Sequence, residues 1–290
     1  MRVSSQLLAD NVKRNLNKQT ELLLKTQRKL VTGKKINKLS DDPIAMGRVL
    51  DYRQSLAKIG QYELNTNTGR NRAKLTETIL DNISELVNTA KKIAGDPNME
   101  SPAVMADEIS NIKAQILQLA NSKINGNYMF SGNQTGTPPF TEDITGTVTY
   151  NGDSANKRYM VGDNVDVSMR ADGEYIFQNV NDVFSVLDDL HTAILASDGV
   201  AIQNQVVPLH DISNHLKDVR AENASIHKRM ELTETHWSSF KLEVQLQLSQ
   251  EEDANLEAAA LDMLALQNSY QIAIATSAKI IQPNLMQFLS

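Results

Sequence analysis

The sequence predicts a mainly α fold: a long antiparallel helical rod with terminal coiled-coil helices and a small inserted β domain. Three observations carry this. Glycine and proline punctuate structure, and here they are badly spread. Seven of the 13 glycines lie between Gly126 and Gly173, and neither residue occurs from Leu209 to Gln282. Apolar residues on both flanks recur with the alternating three-four spacing of a heptad. Eight of the 14 aromatic residues gather between Tyr128 and Phe184, in the turn-rich middle.

Taken in chain order, the first element is a helix whose three-four stripe runs Ala9, Val12, Leu16, Gln19, Leu23, Thr26, Leu30. A 3.5-residue repeat keeps an apolar seam turned toward a partner helix. Gly33 ends this helix. Asp42-Pro43 starts the next, as cap and first helical residue. A stripe of Leu75, Ile79, Ile83, Leu86, Ala90 and Ile93 follows, stopped by Gly95-Asp96-Pro97. Ser101-Pro102 repeats the start signal, with Ser101 expected as cap before Met105, Ile109, Ile112, Ile116 and Leu119.

The middle alternates with period two in Thr145–Tyr150 and Asn164–Ser168, between Asn-Gly and Asp-Gly turns, which predicts strands. Beyond it the heptad returns in Ile212, Leu216, Val219, Asn223, Ile226, Met230, Thr233, Trp237, Phe240 and Val244. A last stripe runs Leu256, Ala260, Met263, Gln267, Tyr270, Ile274, Ser277, Ile281. The register shifts between Val244 and Leu256, so a break is expected there. The organisation that follows is a terminal coiled-coil region (1–42 and 255–290), a helical rod (43–130 and 181–254) and an inserted β domain (131–180).

Composition excludes much chemistry. The 290 residues are 41% hydrophobic and 22% charged, with no cysteine. Disulfide scaffolds, thiol nucleophiles and cysteine-ligated metals are therefore out. The net charge of -6 argues against nucleic acid as a partner. No run approaches the ~18 apolar residues of a membrane helix, and the polar start does not read as a signal peptide. The mild net charge conceals an asymmetry. Residues 1–38 hold ten basic residues against Asp10 and Glu21, whereas 250–290 hold Lys279 against five acids. A basic and an acidic helix that pair are the sharper reading, two solvated faces the plainer one.

A search for catalytic or metal-binding constellations finds none. His210 and His215 are five apart and face different sides of a helix, and no zincin pattern occurs. Asp41-Asp42 and Asp188-Asp189 are adjacent pairs rather than spaced carboxylates. No enzyme, cofactor or metal is expected.

Two groups of residues carry a resemblance. Gly33-Lys34-Lys35-Ile36-Asn37-Lys38-Leu39-Ser40-Asp41-Asp42-Pro43 resembles the N-terminal signature of bacterial flagellins and their relatives. Asn125-Gly-Asn-Tyr128-Met-Phe130-Ser-Gly132, followed by Pro138-Pro139-Phe140, is similar to a stretch of the hook–filament junction branch of that superfamily. Leu264–Tyr270 and Ala278–Gln282 are similar to that branch's tail, with Pro283 expected to interrupt the last helix.

The resemblance implies terminal helices that pair and line the inner tube of an axial structure, with Leu16, Leu23, Leu30, Leu256, Met263, Tyr270, Ile274 and Ile281 in the assembly seam. It implies a structural adapter joining hook to filament, extracellular on the flagellum, exported unfolded through the flagellar type III channel with an export chaperone. The implied partners are neighbouring copies in a ring, another hook-associated protein on the hook side and flagellin on the filament side, with no nucleic acid and no membrane. Flagellin itself is the second reading, a secreted coiled-coil effector the third. Narrow seams diluted by Ala, Gln and Thr bury too little to offset ordering entropy alone. Residues 1 to about 40 and about 255 to 290 are therefore expected to order only on assembly.

Overall fold

The computed structural model describes residues 2–96 and 101–289. Its helices are α1 (Arg2–Thr32), α2 (Pro43–Ala94), α3 (Pro102–Ala120), α4 (Gly173–Phe177), α5 (Val183–Leu195), α6 (Gly199–Glu252) and α7 (Leu256–Leu289). Six short strands lie between α3 and α4: β1 (Lys123–Ile124), β2 (Asn127–Tyr128), β3 (Phe140–Glu142), β4 (Val148–Tyr150), β5 (Lys157–Gly162) and β6 (Val165–Met169). The fold is mainly α with small antiparallel sheets, as the punctuation predicts.

The helix boundaries have local causes. Gly33 stands at φ +70°, and its N–H reaches Lys29 O at 2.9 Å, which closes α1 with a left-handed residue. Asp42 caps α2: its carboxylate accepts from the N–H groups of Ile44 and Ala45 at 3.1 and 2.9 Å. Asp182 caps α5 and Asp198 caps α6 in the same way. The break expected after Val244 falls at 253–255, where Asn255 caps α7 by accepting from Ala258 N–H at 3.0 Å.

Two expectations fail locally, and one helix starts ahead of the proline-free run. Ser101 stands at the N-cap of α3, but its side chain makes no capping hydrogen bond, so proline at the first position carries the start by itself. α6 begins before Pro208 and passes through it, because the Asp198 cap sets the start upstream. The backbone of α7 likewise stays helical through position 283. A proline removes one N–H donor from the ladder, and here the helix continues past that loss. Pro97 lies outside the described residues.

Two compact units partition the chain: residues 1–58 with 240–290, and residues 59–239. In the first, α1 packs along α7, and Ile36, Ala45 and Val49 form a small core with Met46 and Leu248 against them.

The second unit holds the main core. α2 contributes Leu80, Ile83 and Val87; α3 contributes Ile109, Ile112 and Ile116; α5 contributes Leu187, Leu190 and Ile194; and α6 contributes Leu209, Ile212 and Leu216. Burying each such side chain is worth about 1.5–3 kcal/mol. Here α2 and α6 run antiparallel, fixed by polar ties between them. Asn223 Nδ2 donates to Ala73 O at 2.9 Å, Arg220 pairs with Glu77 and Asp81 at 2.8 and 2.7 Å, and Ser213 bonds Asn88 at 3.2 Å. The α6 seam read from the sequence is buried or half-buried at every position from Ile212 to Trp237.

The β segment is three separate hairpins, β1–β2, β3–β4 and β5–β6. The last two join different hydrophobic clusters. Phe140 and Val148 of β3–β4 enter the main core. Val161 and Val167 of β5–β6 pack on Met230 of α6 instead, and Trp237 Nε1 donates to Val161 O at 2.7 Å.

Candidate functional site

The basic signature after α1 folds into a clasp with the end of α6. Lys34 pairs with Glu252 at 2.7 Å, and Arg53 bonds the same carboxylate oxygen. Glu252 is itself buried. Backbone bonds run both ways: Lys35 N–H to Glu252 O at 2.7 Å, and Ala254 N–H to Gly33 O at 2.8 Å. Arg48 adds a bidentate pair to Glu251, with both bonds at 3.1 Å.

Most residues of the signature have a local task. Ile36 fills the small core. Asn37 Nδ2 donates to Lys34 O at 2.8 Å, tightening the turn. Asp41 accepts from the N–H groups of Asn37 and Lys38 and from Lys25 Nζ at 3.1 Å. Burial pushes Asp41 up, but those hydrogen bonds outweigh it and hold the carboxyl below its ordinary value. Asp42 and Pro43 then start α2.

The expected charge pairing of the two ends takes this form. Basic residues at and after the α1 turn meet acidic residues just before α7. Arg48 and Arg53 were missed in the sequence, and Glu251 and Glu252 were counted only as part of an acidic end, without these partners. They sit in ordinary charged runs, such as Ser249-Gln-Glu-Glu-Asp253, that cannot be told from a solvated face before the turn brings them together.

On α1, Val12, Leu16, Gln19, Leu23 and Leu30 are half-buried and Thr26 is buried, at the predicted spacing. On α7 the covered stripe is Ala259, Met263, Leu266, Tyr270, Ala273 and Ser277. Met263 and Tyr270 therefore stand where expected, whereas Leu256 and Ile274 do not: they are 51% and 46% exposed. The reason is that α7 is apolar on more than one face, so a three-four stripe can be drawn through it in two registers. Leu261, Leu264 and Ile272 are exposed as well. Ile281 lies outside the residues whose side chains are described.

In the second unit, the Tyr128–Phe140 stretch builds an aromatic cluster. Phe140 lies 5.2–5.4 Å, centroid to centroid, from Tyr150, Phe177 and Phe184, and Phe130 meets Phe177 edge-on at 5.6 Å. Gly132 has φ +63°, and a Cβ there would collide with the Asp153 carboxylate. That carboxylate instead accepts from the N–H groups of Asn133 and Ala155 at 2.9 and 3.0 Å. Pro139 O accepts from Asn151 N–H at 2.7 Å, and Tyr128 O accepts weakly from Ser131 Oγ at 3.5 Å. The Tyr150 hydroxyl lies within 3.1 Å of Phe130 O and Asp153 O and accepts from Gly173 N–H at 3.2 Å. Burial, then the neighbouring Asp172, Asp153 and Glu174 carboxylates, push its phenol up to about 12 against that N–H.

Among the described residues, no cluster of three or more His, Asp or Glu side chains could hold a metal ion. No described helix is long and apolar enough to cross a membrane. The geometry that does recur is helix pairing, clasping and exposed apolar surface.

Comparison with known proteins places these features. Residues 3–135 match the bacterial flagellin N-terminal helical region. The matched stretch contains both the clasp signature and the Tyr128–Gly132 segment. Flagellar hook-associated protein 3 of Salmonella typhimurium is 31% identical over 153 residues, 50% of this chain and 48% of the relative. The Escherichia coli protein of the same name is 30% identical over 149 residues, 49% of this chain and 47% of the relative. The chain thus spans about half the length of the curated relatives it matches, and the resemblance to the junction branch read from the motifs is borne out.

Solved structures share the fold. A protein described as flagellar hook-associated, from Vibrio parahaemolyticus, has a TM-score of 0.68 at 20% identity, covering 73% of this chain and all of that one. FlgL from Xanthomonas campestris scores 0.60 at 17% identity, covering 68% and 99%.

Proposed function

We propose that this chain is a structural adapter of the bacterial flagellum, joining hook to filament. The observation that carries the reading is the pairing of α1 with α7 by one covered stripe each, while further apolar residues of α7 stay exposed. Leu261, Leu264 and Ile272 are each more than half exposed. Such surface on a helix already paired invites a further partner. Copies of this chain standing in a ring, with a hook-associated protein on one side and flagellin on the other, would supply it. The hook-associated relatives support this choice over a filament subunit.

The same observation supports folding on assembly. The α1 seam is half-buried rather than buried along almost its whole length, so the pair on its own gains little against its ordering entropy. In this account the chain is exported unfolded, and its ends order only when neighbours cover them. A strain lacking the chain tests the function. Hooks without filaments, and flagellin shed into the medium, are the expected result. Intact filaments in that strain would refute it.

A further inference from the structure

We infer that neighbouring copies of this chain dock by seating the β3–β4 tip of one in a groove between the β5–β6 hairpin and α6 of the next. The inference rests on the reading that copies stand side by side, and it assigns the β segment a task.

The tip carries a knob. Ile144 is fully exposed, at 106% of its reference area. One exposed isoleucine is unremarkable in a mobile loop, but this loop is pinned. The Asp143 carboxylate accepts from Thr145 N–H, Thr145 Oγ1 and Thr147 N–H at 2.8, 2.6 and 3.0 Å. From beneath, Lys113 Nζ reaches Gly146 O at 2.6 Å, Glu142 at 3.0 Å and Asp188 at 2.7 Å. A pre-set apolar knob spares the ordering cost that a flexible loop meets on binding. Its surroundings are acidic: Glu142, Asp143 and Asp188 stand against Lys113 alone.

The groove has the complementary character. Its apolar wall is Val161, Val165, Leu232 and Trp237, around a hollow of about 670 Å³. Val165 and Leu232 are 45% and 60% exposed, so the chain leaves its own hollow uncovered. The rim is basic: Lys228, Arg229 and His236 line it, and no carboxylate does. Lys228 shares its charge with Glu231 at 2.7 Å, which leaves Arg229 as the main attraction. An acid-flanked isoleucine matches this hollow in both polarity and charge. Knob and groove are different surfaces of the same unit. The contact is therefore heterologous, and such contacts repeat from copy to copy into a ring or a helical array.

The absence of cysteine makes the test clean. A strain lacking the chain is given the full-length protein carrying Ile144→Cys and Leu232→Cys, and its cells are oxidised. The expected result is restored filaments and a ladder of cross-linked multiples of this chain. Val104→Cys with Leu232→Cys, a pair using an exposed position on α3, should give no ladder. Filaments with only monomer, or the same ladder from the control pair, would overturn the docking inference and leave the adapter reading intact. Failure of the unaltered chain to restore filaments would overturn the adapter reading, and docking with it. Ile144→Asp and Arg229→Glu give a second readout should the cysteine pair fail to export. Each should be exported in normal amount yet lose filament attachment, and full attachment with both would overturn the inference.

Discussion

Glu252 joins the two ends of the chain through one buried carboxylate. Lys34 and Arg53 both reach it, and its own backbone carbonyl accepts from Lys35. Hydrogen bonds to charged groups are worth about 1.5–3 kcal/mol each net. Both cations keep access to water, so Glu252→Gln should cost roughly 2 kcal/mol rather than the full sum. Hydrogen exchange over residues 33–42 reads this out, and unchanged protection there would show that the clasp contributes nothing. Tyr150 offers a residue-scale test in pH. Its folded-state value of about 12 stands above the ordinary 10. A raised value means that the stabilisation is fully present below pH 10 and is lost as pH rises through 12. Alkaline unfolding should therefore show a fall in stability across that window, and Tyr150→Phe should flatten its share of the fall.

Elements were more legible in the sequence than the contacts between them. Gly33, Asp42-Pro43 and the capping aspartates are local signals, and α1, α2, α5 and α6 obey them. The α6 heptad was readable because only one face of that helix is apolar enough to draw a stripe through. α7 defeated the same method: it is apolar on several faces, and the stripe through Leu256 and Ile274 is one of two that fit. The strands β3 and β5 were missed because Phe-Thr-Glu and Lys-Arg-Tyr-Met lack clean alternation, and their order comes from the helices beneath. Which charges meet in the clasp was illegible for a different reason: Glu251 and Glu252 lie about 200 positions from the residues they hold. The exposed face of α7 and the covered stripe of α1 give forecasts for two substitutions that agree on attachment and differ on the helix pair. Ile274→Asp, on exposed surface, should leave the isolated chain's thermal midpoint unchanged and abolish filament attachment. Leu23→Asp, in the covered stripe, should abolish attachment and also loosen the α1–α7 pair, seen as lost helical circular dichroism at high chain concentration. Motility with either variant would show that the helix pair is not the assembly surface.

At the scale of the whole molecule, the chain has one large core, and in the proposed function its two ends wait for neighbours. Residues 59–239 hold the aromatic cluster and the four-helix core. The ends hold narrow stripes and a clasp. Limited proteolysis of dilute monomer should trim both ends and stop near the clasp, at about residues 33 and 254, leaving a fragment that contains residues 43–250 throughout. Glu252→Gln should let the trimming advance further inward, which ties the residue-scale claim to this one. Resistant ends in dilute monomer would sink folding on assembly. The central claim remains the place of the chain in the organelle, and labelling intact flagella with an antibody to this chain tests it most directly. The account predicts one band at the boundary between hook and filament. Label spread along the whole filament would contradict it and make the chain a filament subunit.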